Sequence, residues 1–499
     1  MHEKELVRGA VVNMVGALAK LINPLFFVLV TWVFGTEVMG VYFLATFMMQ
    51  IVIGAVAAGY NQGVIIFASP HADDADSPEL YHVLANSFAV TLGLSALLVP
   101  AGLLLIDPLV AGFYSDRPEL GSALKVLLYS LPFAALTPVA IAATKAKMIM
   151  EYDTAINGFF RPIALLAFAV VAWWLRLGLI GLMWAHVATH ALCAALALWG
   201  FGRHYSIART LASLPRLRLH RELLSFSVPQ SMNMTFNRYL TRLDVIMLGA
   251  FGFSNHLVAF YSAASLTTSS LRELKLAFST ALAPIVARAH AAQDIEGMER
   301  ALGRVCRWTV TAVIPLIILV LAFREDLLLL VDSGFTGDTT FMLVLFIPPL
   351  LSSAVGLAGN FIVYTRHSRW NLLNSFLVAG FNTVFNLALI PRFGLLGAAL
   401  ATAAAATVTA MAQIIELGLL EHVWLRLRFL HKPLVGLLAV LVALAILGDP
   451  ARAEGLVVRG VWGLGLATGF VVLMALLRHE EVLSTWQRLH DLRNRIRRS

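Results

Sequence analysis

Residues 230–244 read QSMNMTFNRYLTRLD and place two arginines, an aspartate and three amides inside an apolar segment. Charges at bilayer depth are costly and as a rule face a cavity or a substrate path. Gln230, Asn233, Asn237, Thr241 and Asp244 recur at steps of three or four and so share one helical face, which Arg238 and Arg242 widen by one position. The next apolar segment adds Ser262, Ser265, Ser269, Arg272 and Ser279, with Glu273 and Lys275 beside them. The first carries Asn13, Lys20 and Asn23, with Pro24 expected to kink it, and the eleventh carries Asn371, Asn374, Asn382 and Asn386. Guanidinium groups match phosphate oxygens with paired hydrogen bonds, while amides and hydroxyls both donate to and accept from sugar hydroxyls. The candidate binding set is therefore Lys20, Asn23, Gln230, Asn233, Asn237, Arg238, Arg242, Arg272, Lys275 and Asn374. Asp244 and Glu273 are candidates for counter-ions or for carriers of a coupling proton or sodium ion. Arg238 or Arg242 could instead pair with these acids and only tie helices together, but cations outnumber acids and the excess favours a cationic cavity.

The elements that position these residues follow from composition. The 499 residues are 59% hydrophobic and 13% charged, with a mean hydropathy of +0.80. A globular domain carries about a quarter charged residues, so this is an all-α polytopic membrane protein. Apolar runs of about 20 residues predict fourteen transmembrane helices, at 9–34, 38–68, 81–106, 119–145, 154–175, 179–201, 223–250, 256–286, 302–323, 340–365, 371–390, 395–420, 433–447 and 456–477. Lys145, Lys147, Arg203, Arg209, Arg300, Arg304, Arg478 and most other cations fall on one side. Only Arg117, Arg176, Arg324, Arg392, Arg452 and Arg459 fall on the other. That bias predicts both termini in the cytoplasm, and makes the net +8 charge a topology signal and an attraction to anionic lipids, with no basic module to hold nucleic acid. The acidic loop Asp73, Asp74, Asp76 reads as solvated. No P-loop and no room for a nucleotide-hydrolysing domain exist, so transport must draw on a proton or sodium gradient, on the membrane potential or on the substrate itself. Cys193 and Cys306 imply neither a disulfide nor a metal site.

An internal repeat organises the chain. The pattern from Arg176 to Gly181 followed by Ala185 (RLGLIG) recurs 216 residues on, from Arg392 to Gly397 followed by Ala401 (RFGLLG). An offset of 217 pairs Asn13 with Gln230, Lys20 with Asn237, Gly35 with Gly252, Pro132 with Pro349 and Asn157 with Asn374. Two parallel six-helix repeats around a central cavity follow. They form an N-lobe at 1–202 and a C-lobe at 223–420, joined by a cytoplasmic linker at 203–222. Two extra C-terminal helices at 421–477 lead to a basic amphipathic tail at 478–499 that lies on the cytoplasmic surface. His186 and His190 stand one turn apart but lack a third ligand and read as packing residues. Gly463, Gly465 and Gly469 read as close helix packing.

Several segments resemble a known family: FGTEVMGVY at 34–42, LDVIMLG at 243–249, YSAA at 261–264, and Asn382 with NLALIPRFGLLGAA at 386–399. Over about residues 9–420 the chain resembles bacterial polysaccharide and O-antigen repeat-unit flippases of the multidrug/oligosaccharidyl-lipid/polysaccharide exporter superfamily. The resemblance implies that undecaprenyl-pyrophosphate-linked oligosaccharide moves from the inner to the outer leaflet of the cytoplasmic membrane by alternating access, with polysaccharide polymerase machinery as a partner and with no catalysis and no cofactor. Lipid II flippases also have fourteen helices and are an alternative. A cation-coupled drug antiporter of the same fold should favour an acidic, aromatic cavity, and a membrane polysaccharide polymerase or ligase would need a sizeable outer loop. Neither matches these residues as well.

Overall fold

The computed structural model describes residues 23–72, 74, 76–214, 221–272, 292–332, 338–356, 358, 359, 361, 368–425, 430–447 and 455–477. Lys20, Glu273, Lys275 and the expected surface helix of 478–499 lie outside them. The described residues form helices and no strand. In chain order these are α1 (Asn23–Phe34), α2 (Thr36–Ala68), α3 (Pro78–Phe113), α4 (Pro118–Leu128), α5 (Leu131–Ala146), α6 (Arg161–Trp174), α7 (Gly178–His204), α8 (Ile207–Ser213) and α9 (Arg221–Ala250). They continue as α10 (Asn255–Ser270), α11 (Ile295–Ala322), α12 (Arg324–Val331), α13 (Thr340–Leu345), α14 (Ile347–Ala354), α15 (Ser368–Glu421, two helices joined by a kink at Gly394), α16 (His431–Leu447) and α17 (Leu456–Leu476). Starts follow ordinary capping chemistry: the Ser77 hydroxyl accepts from the Leu80 N–H ahead of Pro78, and the Asp294 carboxylate accepts from the Gly297 N–H at 2.8 Å.

Among the described residues seven helical stretches are long and apolar enough on their own to cross a membrane, and α4 with α5, bent by 44°, make an eighth if the pair is one span. α9, which the hydropathy reading counts as a span, has the length but fails by composition, because the polar stripe displaces its apolar residues. Apolar side chains such as Leu104 at 79% and Trp174 at 76% are exposed, as the lipid-facing surface of a multi-pass membrane protein requires.

The repeat is visible in the backbone. Gly178 and Gly394, the first glycines of the two RxGxxG copies, share φ 56°, and Gly35 and Gly252 share the positive region at 82° and 77°. A Cβ on the second glycine of each copy would overlap the chain just before it, Leu177 for Gly181 and the Leu389 carbonyl for Gly397. The break between α4 and α5 at Tyr129 has its counterpart between α13 and α14 at Phe346, 217 residues on. Pro132 and Pro349 both sit in the first turn of the helix that follows.

The chain divides into two compact units, Met1–Leu266 with Arg369–Ala405 and Thr267–Ser368 with Ala406–Ser499. The core of the first gathers Tyr60, Val64, Leu80, Leu84, Val139, Phe201 and their neighbours, and that of the second gathers Leu302, Cys306, Phe361, Phe470 and Met474. In the second unit a Cβ on Gly463 would lie 2.7 Å from the Ala322 methyl, whereas Gly465 and Gly469 face open space, so the close-packing reading holds for Gly463 alone. At one end of the first unit Arg209 on α8 hydrogen-bonds Asp76, giving the acidic loop a cationic partner.

Within the first unit α2 and α9 run antiparallel at near-backbone contact. Cβ atoms on Gly63, Gly59 and Gly54 would strike Ser227, the Ser227 carbonyl with the Ser231 hydroxyl, and Arg238, and Leu44 presses on Gly249. Gly40 closes the far end against the Asn255 backbone. From Gly63 to Gly40 the seam is about 35 Å long at 1.5 Å per residue, the depth of a hydrocarbon core. The Gly59 N–H also donates to the Ser231 hydroxyl at 3.0 Å. Gly59→Val is expected to lower stability by about 1 to 3 kcal/mol through overpacking, while Gly93→Ala, with nothing within 4 Å, should be neutral. Thermal unfolding of the detergent-solubilised protein checks this, and equal transition temperatures would contradict the seam.

Candidate functional site

The arginines of α9 point into this seam. Arg238 Nη1 donates to the Gln50 carbonyl at 3.0 Å, and Arg242 Nε donates to the Gln50 side-chain oxygen at 3.3 Å. The Arg242 guanidinium also lies 4.1 Å above the Phe47 ring. Room for Arg238 comes from Gly54, where a Cβ would stand 2.9 Å from the arginine Cδ. Gln50 and Phe47 carry no charge and orient the guanidinium groups, while the Arg242 charge also acts on the Asp244 carboxylate.

A third cation joins from α6. Arg161 follows a π-helical stretch, Thr154–Phe160, of the kind that often re-aims side chains at functional sites. Its charge reaches Arg238, and its Nη2 lies 3.4 Å from His190 Nε2. His190 Nε2 in turn meets His186 Nε2 at 3.2 Å, and His186 Nδ1 meets the Tyr42 hydroxyl at 3.3 Å. The histidines expected to be packing residues are thus members of a polar row from α2 to α6. Arg161, Gln50 and Phe47 were absent from the candidates drawn from sequence. Arg161 carried the same signal as Arg238, a cation inside an apolar segment, and periodicity on α9 drew the reading elsewhere.

The amides and the acid of α9 face other helices. Asn233 is buried; its side-chain oxygen accepts from the Ser375 hydroxyl at 2.8 Å and from Asn237 Nδ2 at 3.2 Å. Asn382 Nδ2 donates to the Leu240 carbonyl at 3.4 Å, and Tyr239 meets the Thr383 hydroxyl at 3.0 Å. Asp244 is 2% exposed, and its carboxylate accepts from the Tyr261 hydroxyl at 2.8 Å, the Val245 N–H at 2.9 Å and the Thr402 hydroxyl at 3.3 Å. One polar stripe in sequence therefore divides between neighbours, with the arginine edge on α2 and the amide and acid face on α10 and α15.

The remaining candidates are dispersed. Gln230 is half-buried on α9, Asn374 is buried on α15, and Asn23 is the first described residue of α1. Arg272 belongs to the other compact unit, where its N–H donates to the Ser269 carbonyl at 3.0 Å. Among the described residues no three His, Cys, Asp or Glu side chains gather as a metal site.

The fold matches solved transporters. Over 95% of this chain and 100% of the other it superposes on the lipid II flippase MurJ in an inward closed conformation, with TM-score 0.73 and 13% identity. Over 83% of this chain and 99% of the other it superposes on an inward-facing multidrug resistance MATE family transporter of the MOP superfamily, with TM-score 0.64 and 14% identity. An outward-facing MATE transporter matches 84% of the chain and 96% of its own length, with TM-score 0.62 and 16% identity. No curated protein sequence matches the chain. Residues 40–333 match the family described as "Polysaccharide biosynthesis protein". With more than half of its length in that match, on a multi-pass helical transporter fold, this chain belongs to the polysaccharide biosynthesis protein family.

Proposed function

We propose that the protein is a flippase that carries undecaprenyl-pyrophosphate-linked oligosaccharide repeat units from the inner to the outer leaflet of the bacterial cytoplasmic membrane. The observation that carries this reading is the group of three guanidinium groups, Arg161, Arg238 and Arg242, inside membrane segments of a polysaccharide biosynthesis protein, outnumbering the one carboxylate, Asp244, on the same helix face. A pyrophosphate is the anion such a group suits, since each guanidinium can offer paired donors to its oxygens. The glycan would meet amides and hydroxyls, and the prenyl tail would remain in lipid. Lys20, Lys275 and Arg272 remain further cationic candidates from the sequence, and both termini would be cytoplasmic. Alternating access would rock the lobe of 1–202 against that of 223–420. Asp244, buried among hydroxyls, is the candidate counter-ion or carrier of a coupling ion, with polysaccharide polymerase machinery receiving the product.

Lipid II transport is the second reading, favoured by the full-length likeness to MurJ. Mass spectrometry of the lipid-linked intermediate that accumulates in a deletion strain separates the two. A partial glycan repeat unit on undecaprenyl pyrophosphate is expected, and accumulation of lipid II would replace the proposal by the alternative.

Arg161→Gln, Arg238→Gln and Arg242→Gln each remove charge-assisted hydrogen bonds worth about 1.5 to 3 kcal/mol. Glycan export per molecule of membrane-inserted protein should therefore fall by roughly one to two orders of magnitude at each site. Arginine to lysine should rescue only partly. Normal export per molecule in all three would sink the cationic mechanism and reopen the drug-antiporter reading. Asp244→Leu, which leaves the Tyr261 and Thr402 hydroxyls and the Val245 N–H without their acceptor, should cost about 1 to 3 kcal/mol of stability, and Asp244→Asn much less. Thermal unfolding of the two variants checks the order.

A further inference from the structure

The export reading makes use of Arg161 but leaves the rest of its row, His190, His186 and Tyr42, without a role. His190 is buried, His186 is half-buried and Arg161 is exposed, so the row leads from the protein interior to an open face of α6. A guanidinium has only donors, so the Arg161 contact requires His190 Nε2 to be an acceptor, with the ring neutral and its proton on Nδ1. His186 must then present an N–H at Nε2 to that same nitrogen and accept the Tyr42 proton at Nδ1. Arg161 thus dictates the polarity and the neutrality of the whole row. A proton on His190 Nε2 would confront two donors and a fixed positive charge.

We propose that His186 and His190 form a proton site that competes with Arg161, so that an anionic headgroup drawing Arg161 away loads the pair with a proton. This rests on the reading of the arginine edge as a pyrophosphate site. The departing guanidinium pairs with the anion and uncovers the His190 Nε2 lone pair, which accepts a proton from water at the opening Arg161 has left. The pair then holds three ring protons where it held two: with His190 Nε2 protonated, the His186 proton passes from Nε2 to Nδ1, where it donates to the Tyr42 oxygen, and the freed His186 Nε2 accepts from His190. Coupling of this kind is reciprocal: the factor by which the anion strengthens proton binding is the factor by which the proton strengthens anion binding. Anion affinity should therefore climb as pH falls through the titration of the pair.

Among the described residues the other groups facing the pair are few. Tyr42 comes from α2, Arg161 from α6, and Cys193 from α7 itself, with Arg238 of α9 behind Arg161. α1 and the π-helical stretch contribute no charge. Lys145 on α5 is paired with Asp153 at 2.6 Å, and Lys125 on α4 with Asp107 at 2.7 Å, at the ends of their helices.

Calorimetric titration of the full chain in detergent with inorganic pyrophosphate, in two buffers of different ionisation enthalpy, reads the protons taken up per anion bound. Wild type should take up more than His186→Gln/His190→Gln. Its affinity should also steepen with falling pH by up to about tenfold per pH unit relative to that variant. Nitrogen NMR of histidine-labelled wild type gives a readout that needs no variant: pyrophosphate should raise the midpoint of the pair, and in Arg161→Gln the midpoint should no longer respond. Binding with equal proton uptake in wild type and variant, or an unmoved midpoint in wild type, overturns the linkage and leaves the export reading intact. No pyrophosphate binding by wild type removes the anion site and the linkage with it.

Discussion

The seam between α2 and α9 is the constraint on which the first unit depends. In a bilayer, lipid tails are as apolar as leucine, so helices gain little from hiding apolar surface and associate through close packing and hydrogen bonds. Here Gly54, Gly59 and Gly63 remove the Cβ atoms that would hold the backbones apart, and the Ser231 and Gln50 contacts become possible only at that distance. The ends nearest Gly40 are tied as well. The Tyr114 hydroxyl donates to the Ile246 carbonyl at 3.0 Å, and buried Arg117 donates to the carbonyls of Gly249 and Phe253 past the last turn of α9. Thr36 meets His256 at 2.8 Å across the same end.

This closeness explains how α9 can be so polar and still be packed. Its amides and Asp244 exchange hydrogen bonds with Ser375, Asn382, Tyr261 and Thr402, so that face costs little. Its arginine edge receives the oxygens of Gln50 and the face of Phe47 from α2. These contacts fix the direction of the guanidinium groups.

Periodicity finds a polar face but not the neighbours that will cover it. That is why residues 230–244 are legible as a polar helix in sequence while their division between α2 and α15 is not. The repeat was legible for a different reason. The turn at Gly178 and Gly394 needs positive φ, and the second glycine of each copy lies where a Cβ would overlap the chain just before it, so the RxGxxG pattern records two local requirements. Arg161 escaped notice because one cation in an apolar run has no period, and its meaning depends on Arg238 and His190, both far away in the chain. Tyr42 and His186 are likewise 144 residues apart.

Arg161 and Arg238 add a last step. Like charges in low dielectric repel more strongly than in water, and half-buried Arg238 also loses hydration, so bringing them together opposes folding. The seam holds Arg238 there with one amide carbonyl, and Arg161 leans on a neutral imidazole; neither partner offsets the repulsion. An anion bearing two or more charges would offset it, and a neutral or cationic compound would not. Under the proposed function the cost of gathering these arginines in the empty protein becomes affinity for a pyrophosphate, which places the selectivity for a lipid-linked glycan over a drug in the charge of α6 and α9 more than in the shape of the fold that both kinds of transporter share.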